Sequence, residues 1–91
     1  MDQNIENFCD FVRGLLQTVG YTLDIEPGRK YIKLVSNKGG NSRSVWCFIN
    51  KETGDIMKAA SWAAPAKHAR GNVADRTTYE TYPWTGPHYL K

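Results

Sequence analysis

The chain has 91 residues and a formal net charge of +3, which bounds it to one domain with a modest core. Hydrophobic residues make up 41% and charged residues 23%, so the composition excludes an intrinsically disordered chain, and no apolar run is long enough to span a bilayer. The acidic start lacks the features of a secretory signal. We therefore expect a single cytoplasmic domain over residues 1–91, of which residues 72–91 could form an extended tail.

The first predicted element is an amphipathic helix over about residues 3–19. Apolar side chains recur there at spacings of three and four and form one stripe: Ile5, Phe8, Val12, Leu15, Leu16 and Val19. Gly20 follows the last of them, as is typical of a glycine just beyond a helix end. A helix with one apolar stripe needs a surface to pack on, and the residues that follow predict a sheet.

Four strands in an antiparallel meander are predicted next, at residues 21–26, 30–36, 44–50 and 56–60. Pro27 and Gly28 suit a tight turn between the first two, and Gly54 suits the turn between the last two. The third strand is the most apolar run and should be central. The predicted fold class is α+β, with the N-terminal helix packed on a four-stranded antiparallel sheet.

The same periodicity predicts the core. The residues whose spacing agrees across helix and strands are Phe8, Val12, Leu15, Leu23, Ile25, Val45, Cys47 and Ile49. Cys9 also lies beside the apolar stripe, so burial is expected for both cysteines. In a cytoplasmic chain we expect both thiols to be free.

The segment IMKAASWAAPAKHARGN, residues 56–72, allows two interpretations. Pro65 suits the first turn of a short second helix, which neighbouring alanines would favour and Gly71 would end. Basic side chains would then complement the dipole at the end of that helix. Alternatively, the segment forms an anion site that cradles a phosphate and stacks a base, built from Lys58, Trp62, Lys67, His68 and Arg70.

Charge is distributed unevenly along the chain. Residues 1–28 carry five acidic residues against one basic residue, whereas residues 29–70 carry nine basic residues against two acidic ones. Such asymmetry indicates an anionic partner for the middle segment, or else solubilising charges on strand edges and turns.

The end of the chain, after residue 72, combines Thr, Pro and aromatic residues. Its aromatic tail could pack back on the sheet or build a surface for a partner, through Tyr79, Tyr82, Trp84 and Tyr89. The sequence leaves both alternatives open.

No constellation for catalysis or metal binding is evident. The two histidines, His68 and His88, lie in unrelated segments, and no Cys-x-x-Cys or His-x-x-x-His spacing occurs. We therefore expect no enzymatic activity, no catalytic residue, no metal and no cofactor.

The stretch TGDIMKAASWAAPAKHARGNV, residues 53–73, resembles a segment that recurs in small proteins encoded by tailed bacteriophages. The resemblance rests on TGDIMK followed at short intervals by ASW, PAK and RGN, and it covers about a quarter of the chain. It implies a phage origin and a small accessory protein that counters host functions. It carries over no catalytic residue.

Three hypotheses for function follow. The first is a non-enzymatic phage protein that binds and blocks or sequesters a host protein in the host cytoplasm, with Trp62 and the tail aromatics as anchors. The second is a nucleic-acid or nucleotide binder that uses the basic and aromatic side chains of residues 58–70. The third is an assembly protein held in a homo-oligomer by its aromatic tail. None of the three involves a membrane.

Overall fold

The computed structural model describes residues 3–39, 42–83 and 86 and has an α+β fold. One helix packs on a five-stranded antiparallel sheet, whose strand order β1-β2-β3-β4-β5 is a simple meander. The elements are α1 Gln3–Gln17, β1 Thr22–Pro27, β2 Tyr31–Gly39, β3 Ser42–Asn50, β4 Asp55–Ala59, β5 Pro65–Asn72 and α2 Arg76–Tyr79. The predicted first helix, the four strands and the central position of β3 are confirmed.

Residues 65–72 form a fifth strand, so the prediction of a helix that begins at Pro65 and ends at Gly71 is wrong. Ile56 pairs with Gly71 and Met57 with Ala69, with irregularities in the ladder on both sides of Met57. Each alanine prefers a helix by less than about 1 kcal/mol, which the hydrogen bonds offered by the open edge of β4 outweigh. Pro65 is tolerated because it is the first residue of an edge strand.

The short second helix lies further along the chain, at Arg76–Tyr79. Asp75 caps it, because its carboxylate accepts hydrogen bonds from the Thr78 backbone N–H and from the hydroxyls of Thr77 and Thr78, the last two at 2.7 Å. These bonds lower the pKa of Asp75, with the Thr77 hydroxyl as the largest cause. The second helix thus follows β5 and does not occupy residues 65–71, where the sequence predicted it.

The core lies between α1 and one face of the sheet. Of the predicted core residues, Phe8, Val12, Cys47 and Ile49 are fully buried. Three others, Leu15, Leu23 and Ile25, are partly buried and pack against the same cluster. The cluster also contains Cys9, whose burial was expected, Ile5 and Leu16 of the predicted apolar stripe, and in addition Ile32, Leu34, Trp46, Ile56, Val73, Tyr79 and Tyr82.

A bulge at Trp46 explains why Val45 is not in the core. Leu34 pairs with Cys47 and the next residue, Val35, pairs with Val45, so Trp46 has no counterpart on β2. The extra residue places Trp46 and Cys47 together in the core cluster, and Val45 lies half-buried outside it. The strict alternation assumed for β3 fails at this single position.

The segment after β5 completes the core. The Tyr79 ring packs edge-on against Phe8, with ring centroids 4.8 Å apart, and Tyr82 packs against Trp46 at 6.3 Å. The Tyr82 hydroxyl donates a hydrogen bond to the Arg70 carbonyl (2.8 Å). Tyr79 and Tyr82 thus pack back on the domain, while Trp84 and Tyr89 lie outside the described residues.

Gly71 should be intolerant of a side chain. A Cβ there would collide with the Tyr82 hydroxyl and lie 3.3 Å from Thr78 Cγ2, whereas a Cβ at Gly14 in α1 would meet nothing within 4 Å. We expect Gly71→Ala to cost about 1–3 kcal/mol of unfolding free energy, because Tyr82 must shift and lose its hydrogen bond. The control Gly14→Ala should stabilise by about 0.5–1 kcal/mol. Urea denaturation measures both. Equal stabilities for the two variants would show that the Tyr82 hydroxyl does not pack against Gly71.

Two adjacent leucines of α1 should differ in their contribution to stability. Leu16 is fully buried and Leu15 only partly. Leu16→Ala should therefore cost about 2–5 kcal/mol, and Leu15→Ala clearly less. The same denaturation experiment compares them, and the reverse order would show that the helix is rotated on the sheet.

Candidate functional site

The face of the sheet opposite α1, called here the outer face, carries both charged and buried apolar side chains. Cross-strand pairing aligns Glu26, Lys33, Phe48 and Met57 on four successive strands. Phe48 is only 3% exposed although it does not belong to the core cluster. Something other than α1 therefore covers this face.

The connection between β4 and β5, residues 60–64, supplies that cover. It is closed by hydrogen bonds from the backbone N–H groups of Ala60 and Ser61 to the Ala64 carbonyl, at 3.0 and 3.1 Å. The Trp62 ring lies over Lys33, and Ala63 lines a groove together with Phe48. The loop thus folds over the outer face of β2 and β3.

Two cations hold the Trp62 indole. Lys33 Nζ lies 4.2 Å from the ring centroid and Arg43 Cζ lies 5.6 Å from it, both within cation–π range. The Trp62 side chain nevertheless remains 47% exposed. Within residues 3–39, 42–83 and 86, only one other large hydrophobic side chain is exposed, Val19 in the turn after α1.

Acidic side chains of β1 hold the same two cations from the other side. Arg43 Nη2 donates to Glu26 Oε2 at 2.6 Å and lies 3.3 Å from Asp24 Oδ2, while Lys33 Nζ is 3.8 Å from Glu26 Oε1. The hydrogen bond with Glu26 is the main cause that raises the pKa of Arg43. The result is a network of charged side chains on three strands, and its two cations contact the Trp62 indole.

The five residues of the predicted anion site are distributed over loop 60–64 and two strands. Of its five residues, Trp62 is in the loop, Lys58 is half-buried on β4, and Lys67 and His68 are exposed on β5. Arg70 Nη1 donates to the His68 carbonyl of its own strand at 2.8 Å. Lys67 and Arg70 stand on a strand and not on the short helix predicted for this segment.

Sequence reasoning missed Lys33 and Arg43. The stretch KYIKLVS does place Lys33 between Ile32 and Leu34, and strand alternation puts it on the face away from the core. Strand alternation therefore places Lys33 on the outer face. The approach of a loop almost thirty residues later could not be inferred from it.

Two grooves flank loop 60–64. The turn groove, about 350 Å³ in volume, is lined by residues 26–31, Lys33, Phe48 and Ala63. The alanine groove, about 270 Å³, is lined by residues 59–62 with Arg43, Ser44 and Val45. The first is basic and aromatic, and the second has small apolar walls beside the Trp62 indole.

Both cysteines are free and buried, as predicted. Burial raises the pKa of Cys9 to about 11 and raises the pKa of Cys47 as well. Neither thiol is therefore ionised near neutral pH.

In the described part of the chain, no group of three or more His, Cys, Asp or Glu side chains is placed to hold a metal ion. No helix there is long and apolar enough to cross a membrane.

The fold and the outer face together define a small α+β protein, with one helix on a five-stranded meander and a basic and aromatic surface on the opposite side. The chain belongs to a family of unknown function, DUF7717, which matches residues 3–90. The match begins at the start of α1 and continues past α2, so it spans every helix and strand in the part of the chain that the structure describes. No curated protein and no solved structure gives a significant match to the chain.

Thiol chemistry should report the burial of the cysteines. Near pH 7 the native protein should not react with a thiol–disulfide exchange reagent, whereas the unfolded, unreduced protein should give two reactive thiols. Rapid reaction of the native protein, or the absence of thiols after unfolding, would contradict the structure.

Stability should also fall in alkali. Below pH 9 Cys9 is protonated in both states, but between pH 9 and about 11 only the unfolded state loses the proton. The free energy of unfolding should therefore decline across this window. A Cys9→Ala variant should show a smaller decline, and an unchanged decline would mean that Cys9 does not contribute.

Proposed function

We propose that this chain is a non-enzymatic binding protein that docks an acidic partner protein on Trp62 and the alanine groove. The observation that carries the proposal is the half-exposed indole held by Lys33 and Arg43. Tryptophan and arginine are enriched among the residues that dominate interface energetics. An indole that is already fixed loses little conformational freedom on binding, which favours affinity.

The alanine groove gives this anchor a neighbouring recess. Its lining combines the short side chains of Ala59, Ala60 and Ser61 with Val45 and the Trp62 indole. A recess of this size and character suits an aliphatic side chain of the partner. The alanines thus have a use beyond local structure, since larger residues would fill the recess.

Charge supports an acidic partner. Residues 29–70 carry nine basic residues against two acidic ones, and Lys67 and His68 of β5 are exposed. Asp24 and Glu26 balance the charges of Lys33 and Arg43 beside Trp62, so the excess of positive charge in residues 29–70 lies on other side chains. Such a field accelerates association with an acidic surface and weakens as salt is added.

The sequence resemblance to phage-encoded segments suggests where the protein acts and on what kind of partner. We infer a phage accessory protein that acts in the host cytoplasm, where it blocks or sequesters a host protein. Buried, protonated thiols favour a binding role over nucleophilic catalysis. The assembly hypothesis is weaker, because Tyr79 and Tyr82 are used in the core.

The test is capture from a nuclease-treated host lysate with immobilised wild type, Trp62→Ala and the control Val19→Ala. Val19 is also an exposed hydrophobic residue, but it lies in the turn after α1. Wild type and Val19→Ala should retain one acidic protein that Trp62→Ala loses. With the purified partner, Trp62→Ala should cost about 2 kcal/mol or more, roughly 30-fold in Kd. Equal capture by both variants, or loss of the partner after nuclease, would contradict the proposal.

A further inference from the structure

The turn groove has a rigid frame. The β1–β2 turn is closed by the Gly28 N–H, which donates to the Tyr31 carbonyl at 2.8 Å. Lys51, just after β3, braces the turn twice: its ammonium donates to the Gly28 carbonyl at 2.6 Å and its backbone N–H to the Lys30 carbonyl at 3.1 Å. Arg29 and Lys30 are therefore presented from a fixed backbone.

The groove carries an excess of positive charge. Arg29, Lys30 and Lys33 line it together with a single carboxylate, that of Glu26. Glu26 is already bound by Arg43 at 2.6 Å and by Lys33 at 3.8 Å. In the part of the chain that the structure describes, neither Arg29 nor Lys30 forms a salt bridge with a carboxylate. Two cations are thus left to face an anion from outside.

The remaining wall of the groove is aromatic and apolar. Tyr31 and Phe48 pack edge to face with ring centroids 6.1 Å apart, and Ala63 of loop 60–64 lines the same groove. Lys30 Nζ lies 5.4 Å from the Tyr31 ring centroid, so the cation and the ring belong to one site. A ligand that fills this groove must combine a flat apolar part with a negative group.

We infer that the turn groove binds a nucleoside phosphate, with the phosphate on Arg29 and Lys30 and the base between Tyr31 and Ala63. Guanidinium and ammonium groups form strong, charge-assisted hydrogen bonds to phosphate, and aromatic side chains stack bases of any sequence. The volume of about 350 Å³ falls within the range of small-ligand clefts. This site does not depend on Trp62 as a protein anchor, and it differs from the site predicted from residues 58–70.

The phosphate could belong to a free nucleotide or to the 5′ end of a single strand. The test is calorimetric titration at low salt with AMP, adenosine, inorganic phosphate, and a short oligothymidylate with and without a 5′-phosphate. AMP should bind more tightly than adenosine or phosphate alone, because each contacts only half of the groove. Stronger binding of the 5′-phosphorylated strand than of AMP would identify a strand end as the source, and the reverse a free nucleotide.

Matched double variants locate the site. Arg29→Ala/Lys30→Ala should lower AMP affinity at least about tenfold, since two charge-assisted contacts are lost. The control Lys38→Ala/Arg76→Ala removes the same two residue types from exposed positions outside the groove and should change affinity less than about threefold. Amide shifts on AMP addition should cluster at residues 28–33.

Three outcomes would overturn the inference: no binding of millimolar AMP, an equal loss of affinity in both double variants, or shifts confined to residues 58–70. Because Trp62 is unchanged in every variant, each of these results leaves the proposed protein-binding role to be judged by its own experiment.

Discussion

The burial of β3 on both of its faces is the constraint on which the rest of the structure depends. Four consecutive residues, Trp46 to Ile49, are almost fully buried. A single helix covers one face of a sheet, and α1 packs on the side of Cys47 and Ile49. Phe48 faces the other way, so the domain needs a second cover to keep its ring out of water.

Loop 60–64 provides this cover, and the role accounts for its unusual composition. Short alanine side chains allow the backbone to approach the sheet closely, and the Trp62 indole lies over Lys33. The Trp62 ring is held by two cations rather than by an apolar pocket, so it covers the sheet with one side and keeps the other exposed. The chain then leaves the loop along β4 as an additional strand, because that edge still has free hydrogen-bonding groups.

Periodicity predicted the parts of the fold that are set by local pattern. The apolar stripe of α1, the alternation of β1 and the turn at Gly54, whose φ is +78°, all follow from neighbouring residues. The fifth strand could not be predicted this way, since Pro65 and the alanines prefer a helix locally and only pairing with β4 reverses that preference. The bulge at Trp46 likewise depends on the register with β2 and leaves no mark in β3 alone.

The candidate site was also predictable only where it depends on local sequence. Trp62 stands out in the sequence because an indole among alanines has no local partner, but the cations that hold it come from β2 and β3. Proximity along the chain instead suggested Lys67 and Arg70, which is the error to expect when residues close in sequence are assumed to be close in space. The acidic residues of β1, which stand in the negatively charged part of the chain, complete a network with the basic middle segment.

Lys33 connects the two proposed sites. Its ammonium lies 4.2 Å from the Trp62 ring centroid and 3.8 Å from Glu26, and its side chain also lines the turn groove. In the proposed nucleotide site the phosphate lies on Arg29 and Lys30, but a phosphate that also drew the Lys33 ammonium into the groove would weaken its contacts with the indole and with Glu26. Because binding free energies are reciprocal, a protein partner that fixed Trp62 over Lys33 would then lower the affinity for the phosphate by the same factor. Lys33 is shared by the two proposed sites, so it is the side chain through which their ligands would compete.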